Sequence, residues 1–265
     1  MSVKRSILSL FYGLVFRAIS SQLKGVKLKI TPLFPVRFLW KNVEPEKHYI
    51  YKQLINDGNI IFDIGANVGL HSYFFARNFK SSQIISFEPL PENIEYLKET
   101  IERNKIQNIK LIECAIAEEV GVAYFNTANT NSTGFVTDEE TALRVKVDTL
   151  DNFISTSSIK PHFIKIDVEG AERKVLNGFK EQIKIILPIM VIELHNPEND
   201  KKVNMLLGNL PYDVFRLKDK GEYKNGKPLM RIKNKDLGWP HPDGFWGNIV
   251  VIPKESSEKY AHLVE

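Results

Sequence analysis

The stretch Asp63–Gly69 joins an apolar run to a helical pattern through an acid and two glycines. A glycine-rich turn from a strand into a helix is a common nucleotide-binding element of α/β proteins. Gly65 and Gly69 have the spacing G-x-x-x-G, which differs from the dinucleotide fingerprint, and no phosphate-binding G-K-[ST] follows. A carboxylate at Asp63 would repel a pyrophosphate, whereas it suits a ligand that carries an ammonium and a sulfonium. The turn therefore favours S-adenosylmethionine.

Glu88 ends the next apolar run, 25 residues after Asp63. At this place a carboxylate can accept hydrogen bonds from both hydroxyls of an adenosine ribose. The same spacing occurs in dinucleotide-binding folds, so Glu88 supports an adenosyl ligand and the turn decides which one. Pro89 is then expected beside the adenine, and Cys114 with Ala115, which follow the third strand, on its other side.

Short apolar runs alternate with helical patterns, which predicts an α/β fold with a mostly parallel sheet and helices on both faces. The seven predicted strands are residues 59–64, 83–88, 109–113, 162–167, 189–194, 212–216 and 248–252. The clearest predicted helices are residues 70–79, 91–104, 171–178 and 199–208. In such a Rossmann-like sheet the carboxyl ends of the parallel strands share one edge, where ligands bind.

Acidic residues end four of the predicted strands: Asp63, Glu88, Asp167 and Glu193. His195 follows at the same edge. Its ordinary pKa of ~6.5 predicts that His195 is the general base for a hydroxyl acceptor, with Asp167 as the second choice. The alternative role of His195 is to cap the strand edge or to orient Glu193.

The acids after the fourth strand have two interpretations. Glu169 and Glu172 either face the reacting end of the ligand or stabilise the start of the next helix through its dipole. A divalent metal such as magnesium is an alternative occupant of this edge. Its ligands would be Asp167, Glu193, His195 and Asn196. Their spacing matches no diagnostic metal motif, so no metal is expected.

The stretches DIGANVG, FEPLPEN, DTLDNF, IKIDVEGAE and VIELH occur in this order and together resemble the FkbM-type methyltransferases. The resemblance covers roughly residues 58–196. It implies methyl transfer from S-adenosylmethionine to a hydroxyl of a sugar, or of a polyketide or other natural product. It also implies a cofactor site at Asp63, Gly65, Asn67, Gly69 and Glu88, and a reacting end at Asp167, Glu169, Glu172, Glu193 and His195.

The acceptor site is predicted on two segments outside these motifs. Residues 129–135, in the crossover between the third and fourth strands, have the small polar side chains typical of loops, and Ser132 and Thr133 are the candidate contacts. Residues 238–248 precede the last strand, where Trp239, His241 and Trp246 are candidates for stacking on a sugar ring. Burial in the core is the alternative for each tryptophan.

Basic residues are concentrated near the start of the chain. Residues 1–43 hold eight Lys or Arg and no acid, whereas the rest holds 28 of the 36 basic residues and all 32 acids. We therefore predict an N-terminal arm, residues 1–42, and one methyltransferase domain, residues 43–265. Small and polar residues from Ser2 to Lys24 recur at helical spacing, which predicts an amphipathic helix. This helix packs on the domain or a second subunit, or residues 1–29 contact a membrane surface.

Composition and motifs exclude several classes of protein. The single cysteine, Cys114, rules out an internal disulfide framework and favours a reducing compartment, so a cytoplasmic protein is expected. No apolar run reaches the ~20 residues that span a bilayer. A nucleic-acid substrate is disfavoured, because the basicity is confined to the arm and DVEG replaces the N/D-P-P-Y/F signature of amino-methylating enzymes. The competing hypothesis is a non-catalytic module that binds the same cofactor at a membrane surface.

Overall fold

The structure is a computed structural model that describes residues 14–18, 23, 25–29, 43–126, 135–137, 143–195, 197–219, 221–222, 226–232 and 247–265. The strands are β1 (Val15–Arg17), β2 (Lys27–Lys29), β3 (Ile60–Ile64), β4 (Gln83–Phe87), β5 (Ile109–Ile112), β6 (Ala115–Ile116), β7 (Gly121–Asn126), β8 (Phe135–Thr137), β9 (Leu143–Asp148), β10 (Phe163–Ile166), β11 (Ile189–Leu194), β12 (Tyr212–Leu217), β13 (Leu229–Arg231) and β14 (Gly247–Pro253). The helices are α1 (Pro45–Leu54), α2 (Leu70–Asn78), α3 (Pro91–Asn104), α4 (Leu150–Ser157), α5 (Glu172–Asn177), α6 (Ile183–Ile186), α7 (Pro197–Gly208) and α8 (Lys254–Ser257), and a 3₁₀ helix spans Glu258–Leu263.

The described residues form a central eight-stranded sheet in the order β13-β12-β14-β11-β10-β3-β4-β5. β11, β10, β3, β4 and β5 are parallel, whereas β14 runs antiparallel to both β11 and β12. This arrangement confirms the predicted α/β class and its mostly parallel sheet. Each predicted strand is present with its ends within one residue of the prediction. The prediction missed β13, which has only three residues and lies at the edge of the sheet.

Both faces of the central strands are buried, which explains their continuous apolar runs. In β3, Phe62 and Ile64 belong to one hydrophobic cluster and Ile61 to another. The first cluster includes Val175 of α5, and the second includes Phe75 of α2. The strands are thus held between two helical layers, and this packing fixes the edge at which they end.

A second sheet lies in the connection between β5 and β10. Its strands are ordered β6-β9-β7-β8, with β9 parallel to β6 and antiparallel to β7. The sequence prediction of a crossover with a polar loop missed this sheet. Its signal is present in β9, where Leu143, Val145 and Val147 alternate with the exposed Arg144 and Lys146. Such alternation is typical of a strand that is buried on one face.

The N-terminal segment contains a β-hairpin where a helix was predicted. β1 and β2 pair antiparallel, with Val15 opposite Lys29 and Arg17 opposite Lys27. The helix prediction is wrong over Val15–Arg17, because a β-branched and an aromatic side chain there favour a strand. Gly25, with a φ of +91°, lies in the turn region before β2. The part of the predicted helix before residue 14 lies outside the described residues.

The hairpin packs on α3 of the domain. Leu28 is fully buried in a cluster with Tyr96, and the Tyr96 hydroxyl donates to the Lys29 carbonyl at 2.8 Å. The Asn104 side chain exchanges two hydrogen bonds with the backbone of Lys27. The described part of the arm therefore adopts the packed arrangement that was one of its two predicted options. Within the described ranges, no helix combines the length and the apolar character needed to cross a bilayer.

Candidate active site

A cavity of about 730 Å³ lies at the carboxyl ends of β3, β4 and β10. Its volume falls within the range of small-molecule binding sites. Eight of the predicted site residues line it: Gly65, Asn67, Glu88, Pro89, Cys114, Ala115, Asp167 and Glu169. Burial raises the pKa of the Cys114 thiol to about 12, so this cysteine contributes packing rather than a nucleophile.

The two glycines of the β3–α2 turn have different roles. Gly65 has a φ of +75°, and a Cβ atom there would lie 1.9 Å from the Asp167 carbonyl oxygen. A Cβ atom at Gly69 would lie 2.4 Å from a methyl carbon of Leu97. Gly65 therefore lets the turn pass beside Asp167 at the cavity wall. Gly69 is buried where α2 packs on α3 and is not among the residues that line the cavity, so its ligand contact stays a prediction.

Asp63 lies beneath the turn with no exposed surface. Lys165 Nζ is 3.2 Å from its Oδ1 atom, and the Ser72 hydroxyl donates to its Oδ2 atom at 2.6 Å. In this structure Lys165 compensates the charge of Asp63 inside the core, and the direct contact between Asp63 and a cationic ligand stays a prediction. Lys165 also donates to the Gly65 carbonyl at 2.8 Å, so this buried pair fixes the turn.

Lys165 also connects the buried acid to the cavity wall, since its Nζ atom lies 3.4 Å from Asp167 Oδ2. Burial would raise the pKa of Asp167, but the charges of Lys165 and Lys47 lower it to about 2. Asp167 is therefore ionised at neutral pH and is a weak base, which counts against its predicted role as the second-choice general base. The sequence prediction missed Lys165, whose signal is a lysine inside the otherwise apolar strand FIKI.

Glu88 supports the turn from the neighbouring strand. Its Oε2 atom accepts the backbone N–H of Asn67 at 2.7 Å, and its Oε1 atom accepts from the Leu90 backbone and the Asn93 side chain at 3.0 and 3.1 Å. Burial raises the pKa of Glu88, and these hydrogen bonds oppose the rise. A carboxylate oxygen can accept two hydrogen bonds, so Oε2 retains room for one donor from a ligand.

His195 is held by Glu172, one of the acids that the resemblance placed at the reacting end. Glu172, at the start of α5, is fully buried, and its Oε1 atom lies 2.9 Å from His195 Nδ1. The other ring nitrogen, Nε2, lies 3.7 Å from both Asp167 Oδ1 and Glu169 Oε2 on the cavity wall, and 3.9 Å from Glu193 Oε1. The contact with Glu172 fixes the orientation of the ring, with Nε2 towards Asp167 and Glu169. These two acids line the cavity, whereas His195 and Glu193 lie behind them and are not among its lining residues.

The acids around His195 change its protonation. Burial alone would lower the pKa of His195, but the hydrogen bond that Nδ1 donates to Glu172 and the charges of Asp167 and Glu169 raise it to about 9. His195 is therefore protonated at neutral pH in the ligand-free protein. The sequence argument that its ordinary pKa suits catalysis is wrong for this state, because it assumed a solvent-exposed ring.

Helix α1 supplies a second buried lysine that the sequence prediction missed. Lys47 Nζ lies 2.5 Å from Glu193 Oε2 and 2.9 Å from Glu44 Oε1, and the other oxygen of Glu44 lies 3.1 Å from His71. Burial and the charge of Asp167 raise the pKa of Glu193, whereas Lys47 lowers it. The available signal was helical spacing, because Lys47 falls on the buried face of α1 with Tyr51 and Leu54.

Asp167, Glu193 and His195 could in principle hold a metal ion, because one potential ligand atom from each lies within 4.8 Å of the others. Two of these ligands already contact a cation: Lys165 lies beside Asp167, and Lys47 beside Glu193. The fourth ligand considered from the sequence, Asn196, lies outside the described residues.

The acceptor residues predicted from the sequence lie outside the described residues: Ser132, Thr133, Trp239, His241 and Trp246. Within the described part, β7 and the residue before it form one wall of the cavity. Val122 and Tyr124 in this wall are 44% and 36% exposed. An apolar and an aromatic side chain are therefore available in the wall that β7 forms.

The chain is similar to known methyltransferases. The family model described as the methyltransferase FkbM domain matches residues 63–219. Methyltransferase sdnD of Sordaria araneosa is 27% identical in a match that covers 67% of this chain and 86% of that protein. Hexuronic acid methyltransferase AglP of Haloferax volcanii is 24% identical over 57% of this chain and 62% of its own length. The 31-O-demethyl-FK506 methyltransferase FkbM of Streptomyces tacrolimicus is 21% identical over 60% of this chain and 75% of its own length.

A solved structure shares the fold. The methyltransferase FkbM of Methylobacillus flagellatus matches with a TM-score of 0.52 at 18% identity, over 79% of this chain. The match covers 48% of that protein, so the chain spans about half its length. At this level of identity the likeness concerns the fold alone.

Proposed function

Because the chain belongs to the FkbM methyltransferase family, we propose that it uses S-adenosylmethionine to methylate a hydroxyl group of a sugar or glycoconjugate. The match to this family model confirms the resemblance to FkbM-type methyltransferases that the sequence motifs indicated. The observation that carries the proposal is the imidazole of His195, oriented by the buried Glu172 beside a cavity of cofactor size. A hydroxyl acceptor must lose a proton during methyl transfer, and His195, next to the cavity-lining Asp167 and Glu169, is the candidate base for this proton.

The cofactor would occupy the part of the cavity between the turn and Glu88. Glu88 Oε2 would accept a ribose hydroxyl, and Pro89 and Cys114 would flank the adenine. The acidic edge, defined here as Asp167, Glu169, Glu172 and Glu193, suits the positive sulfonium of the ligand. Attraction to Asp167 and Glu169 on the cavity wall does not require the direct contact that the sequence predicted for Asp63.

The reaction would be an in-line displacement at the methyl carbon. The acceptor oxygen would form a bond to this carbon while the carbon–sulfur bond breaks. The electron pair of the carbon–sulfur bond would stay on sulfur, which becomes a neutral thioether. The hydroxyl proton passes to Nε2 of His195. Glu172 acts as a positioning residue, because it binds Nδ1 and so fixes which nitrogen faces the acceptor.

Cofactor binding would prepare His195 for this role. In the ligand-free protein a pKa of about 9 keeps the ring protonated at neutral pH, and a protonated ring cannot accept a proton. The sulfonium brings a positive charge to the same acids, and a like charge nearby lowers the pKa of a histidine. The ring would therefore become neutral when the methyl donor is in place.

The acceptor would lie against β7. Tyr124 offers an aromatic face for the apolar side of a sugar ring, and Val122 lies two residues before it. The relative named as a hexuronic acid methyltransferase supports a sugar acceptor. The relative named for 31-O-demethyl-FK506 makes a natural-product hydroxyl the second candidate. The acidic edge disfavours a polyanionic nucleic acid at the same site.

The deciding experiment measures transfer of a labelled methyl group from S-adenosylmethionine to a panel of uronic acids, glycans and polyketide hydroxyls. NMR of the product would show whether the new methyl group is on oxygen. His195→Ala is expected to lower turnover by roughly 10² to 10⁴ with nearly unchanged affinity for S-adenosylhomocysteine. His262→Ala, an exposed histidine on the 3₁₀ helix, is the matched control and should retain full turnover.

Two results would contradict this proposal in different ways. Retained turnover in His195→Ala would remove His195 as the base while leaving the methyltransferase assignment intact. Labelling of a nitrogen or carbon atom in every accepted substrate would refute O-methylation itself.

A further inference from the structure

The outer face of the hairpin β1–β2 carries an unusual charge arrangement. Arg17 lies directly opposite Lys27, and Val15 directly opposite Lys29. Directly paired residues of an antiparallel ladder point to the same face of the sheet, so these four side chains share one face. Two like charges at opposed positions repel each other and weaken the pair unless an anion lies between them. Lys29 has such a partner in Glu99 at 3.2 Å, whereas Arg17 and Lys27 form no ion pair with any described residue.

The same strand exposes apolar side chains. Leu14, just before β1, is 50% exposed, and Val15 and Phe16 of β1 are 45% and 37% exposed. Val15 lies on the face of Arg17 and Lys27, whereas Leu14 and Phe16 alternate to the face of the buried Leu28, so β1 is exposed on both of its faces. Apolar groups in solvent are costly, and a partner that covers them while contacting Arg17 and Lys27 would relieve both penalties.

The hairpin is a fixed platform on the domain rather than a loose tail. Leu23 and Leu28 are fully buried, and Asn104 and Tyr96 of α3 hydrogen bond to the backbone of β2. A ligand on the outer face would therefore hold the whole domain in one orientation.

We propose that the exposed strand β1, with Leu14 before it and Lys27 opposite Arg17, docks on an anionic lipid bilayer. Apolar side chains next to cations are the combination that a membrane interface accepts, since the apolar groups enter the acyl boundary and the cations meet the headgroups. Each Lys or Arg near an anionic surface contributes up to about 1 kcal/mol. The surrounding sequence adds to the attraction, because residues 1–43 contain eight basic residues and no acid.

The proposal differs from the helix predicted from the sequence. A helix would have placed one apolar stripe in the interface, whereas the hairpin brings Arg17 and Lys27 together through cross-strand register and exposes both faces of β1. The inference concerns where the protein acts and does not depend on which acceptor is methylated.

Co-sedimentation of the full chain with phosphatidylcholine vesicles, with and without phosphatidylserine, tests the proposal. We expect binding only to the anionic vesicles, with a bound fraction that falls as salt rises. Arg17→Glu combined with Lys27→Glu should lower the partition coefficient by roughly tenfold or more. Lys110→Glu combined with Lys160→Glu makes the same change in net charge at two exposed lysines elsewhere and should bind like the parent.

A second variant separates docking from folding. Leu14→Ser combined with Val15→Ser keeps every charge and should also weaken vesicle binding, while circular dichroism reports whether either variant has lost its fold. The proposal is overturned if the parent does not bind anionic vesicles, or if the two charge-reversal variants bind them equally well. It is also overturned if a single-stranded RNA displaces the parent from vesicles and this RNA binding requires Arg17 and Lys27.

Discussion

Replacing Glu172 by glutamine is expected to lower the pKa of His195 while leaving the ring in place. Glu172 is fully buried and its Oε1 atom lies 2.9 Å from His195 Nδ1. A hydrogen bond to a charged group contributes about 1.5–3 kcal/mol, and ~1.4 kcal/mol corresponds to one pKa unit. The pKa of His195, now about 9, should therefore fall by roughly one to two units. It should stay above its ordinary value, because Asp167 and Glu169 remain 3.7 Å from Nε2.

Ring nitrogen chemical shifts in NMR spectra measure this pKa directly. The signal of His195 is identified by its loss in His195→Ala, and it is titrated without ligand, with S-adenosylhomocysteine and with S-adenosylmethionine. The two ligands differ in the methyl group and in the positive charge on sulfur, so the pKa should be lower with S-adenosylmethionine. Glu102→Gln, an exposed acid on α3, is the control and should leave the pKa at about 9.

The pH dependence of kcat/KM gives an independent measurement in the free enzyme. The base must be neutral, so the rate rises as pH passes the pKa of His195, near pH 9 in the parent and at lower pH in Glu172→Gln. An unchanged pKa in Glu172→Gln would refute the positioning role of Glu172. Equal pKa values with the two ligands would refute the coupling between cofactor charge and His195, even if Glu172 were correctly assigned.

Three further predictions concern the cofactor site and the lysines. Glu88→Gln should weaken binding of S-adenosylmethionine by roughly tenfold or more in calorimetry, because a neutral amide oxygen is a poorer acceptor for the ribose; unchanged affinity would remove Glu88 from the site. Lys165→Met should lower the free energy of unfolding by about 3–5 kcal/mol in urea titrations, since it leaves Asp63 buried without a counterion; parent-like stability would show that this pair does not hold the turn. EDTA should leave turnover unchanged, because Lys47 and Lys165 already compensate acids of the edge; a loss that Mg²⁺ restores would place a metal there instead.

The central sheet was predictable because its signal is local. Strands such as β3 and β10 are buried on both faces, so each reads as an apolar run bounded by polar residues, whatever its neighbours are. The turn after β3 was equally visible from its glycine. Only glycine fits at position 65, because a Cβ atom there would lie 1.9 Å from the Asp167 carbonyl oxygen.

The hairpin and the second sheet were not predictable in the same way. β1 and β2 have three residues each and β6 has two, so none of them contains enough alternation to define a period. The hairpin is stabilised by pairing and by packing on α3, and β6 by its pairing with β9, and the sequence reveals neither. The small and polar residues between Ser2 and Lys24 fit a helical spacing by position alone, and the tertiary contacts of Leu28 override that pattern.

The protonation state of the site was the least predictable feature. His195 owes its raised pKa to Glu172, 23 residues earlier, and Glu193 meets Lys47 across 146 residues of chain. Sequence placed acids and a histidine at strand ends, but it could not supply the distances that decide which group carries the proton.

These distances also link the charge of the cofactor to the proton on His195. Lys165 and Lys47 lie beside Asp167 and Glu193, which leaves protonated His195 as the cation that faces Glu169 and Glu172. An arriving sulfonium can take over part of this role, so binding of S-adenosylmethionine favours loss of the proton. Because such coupling is reciprocal, loss of the proton must in turn favour binding. The affinity for S-adenosylmethionine should therefore rise with pH up to about 9, and that for S-adenosylhomocysteine should rise less. Parallel pH profiles for the two ligands would mean that the sulfonium and His195 do not share these acids.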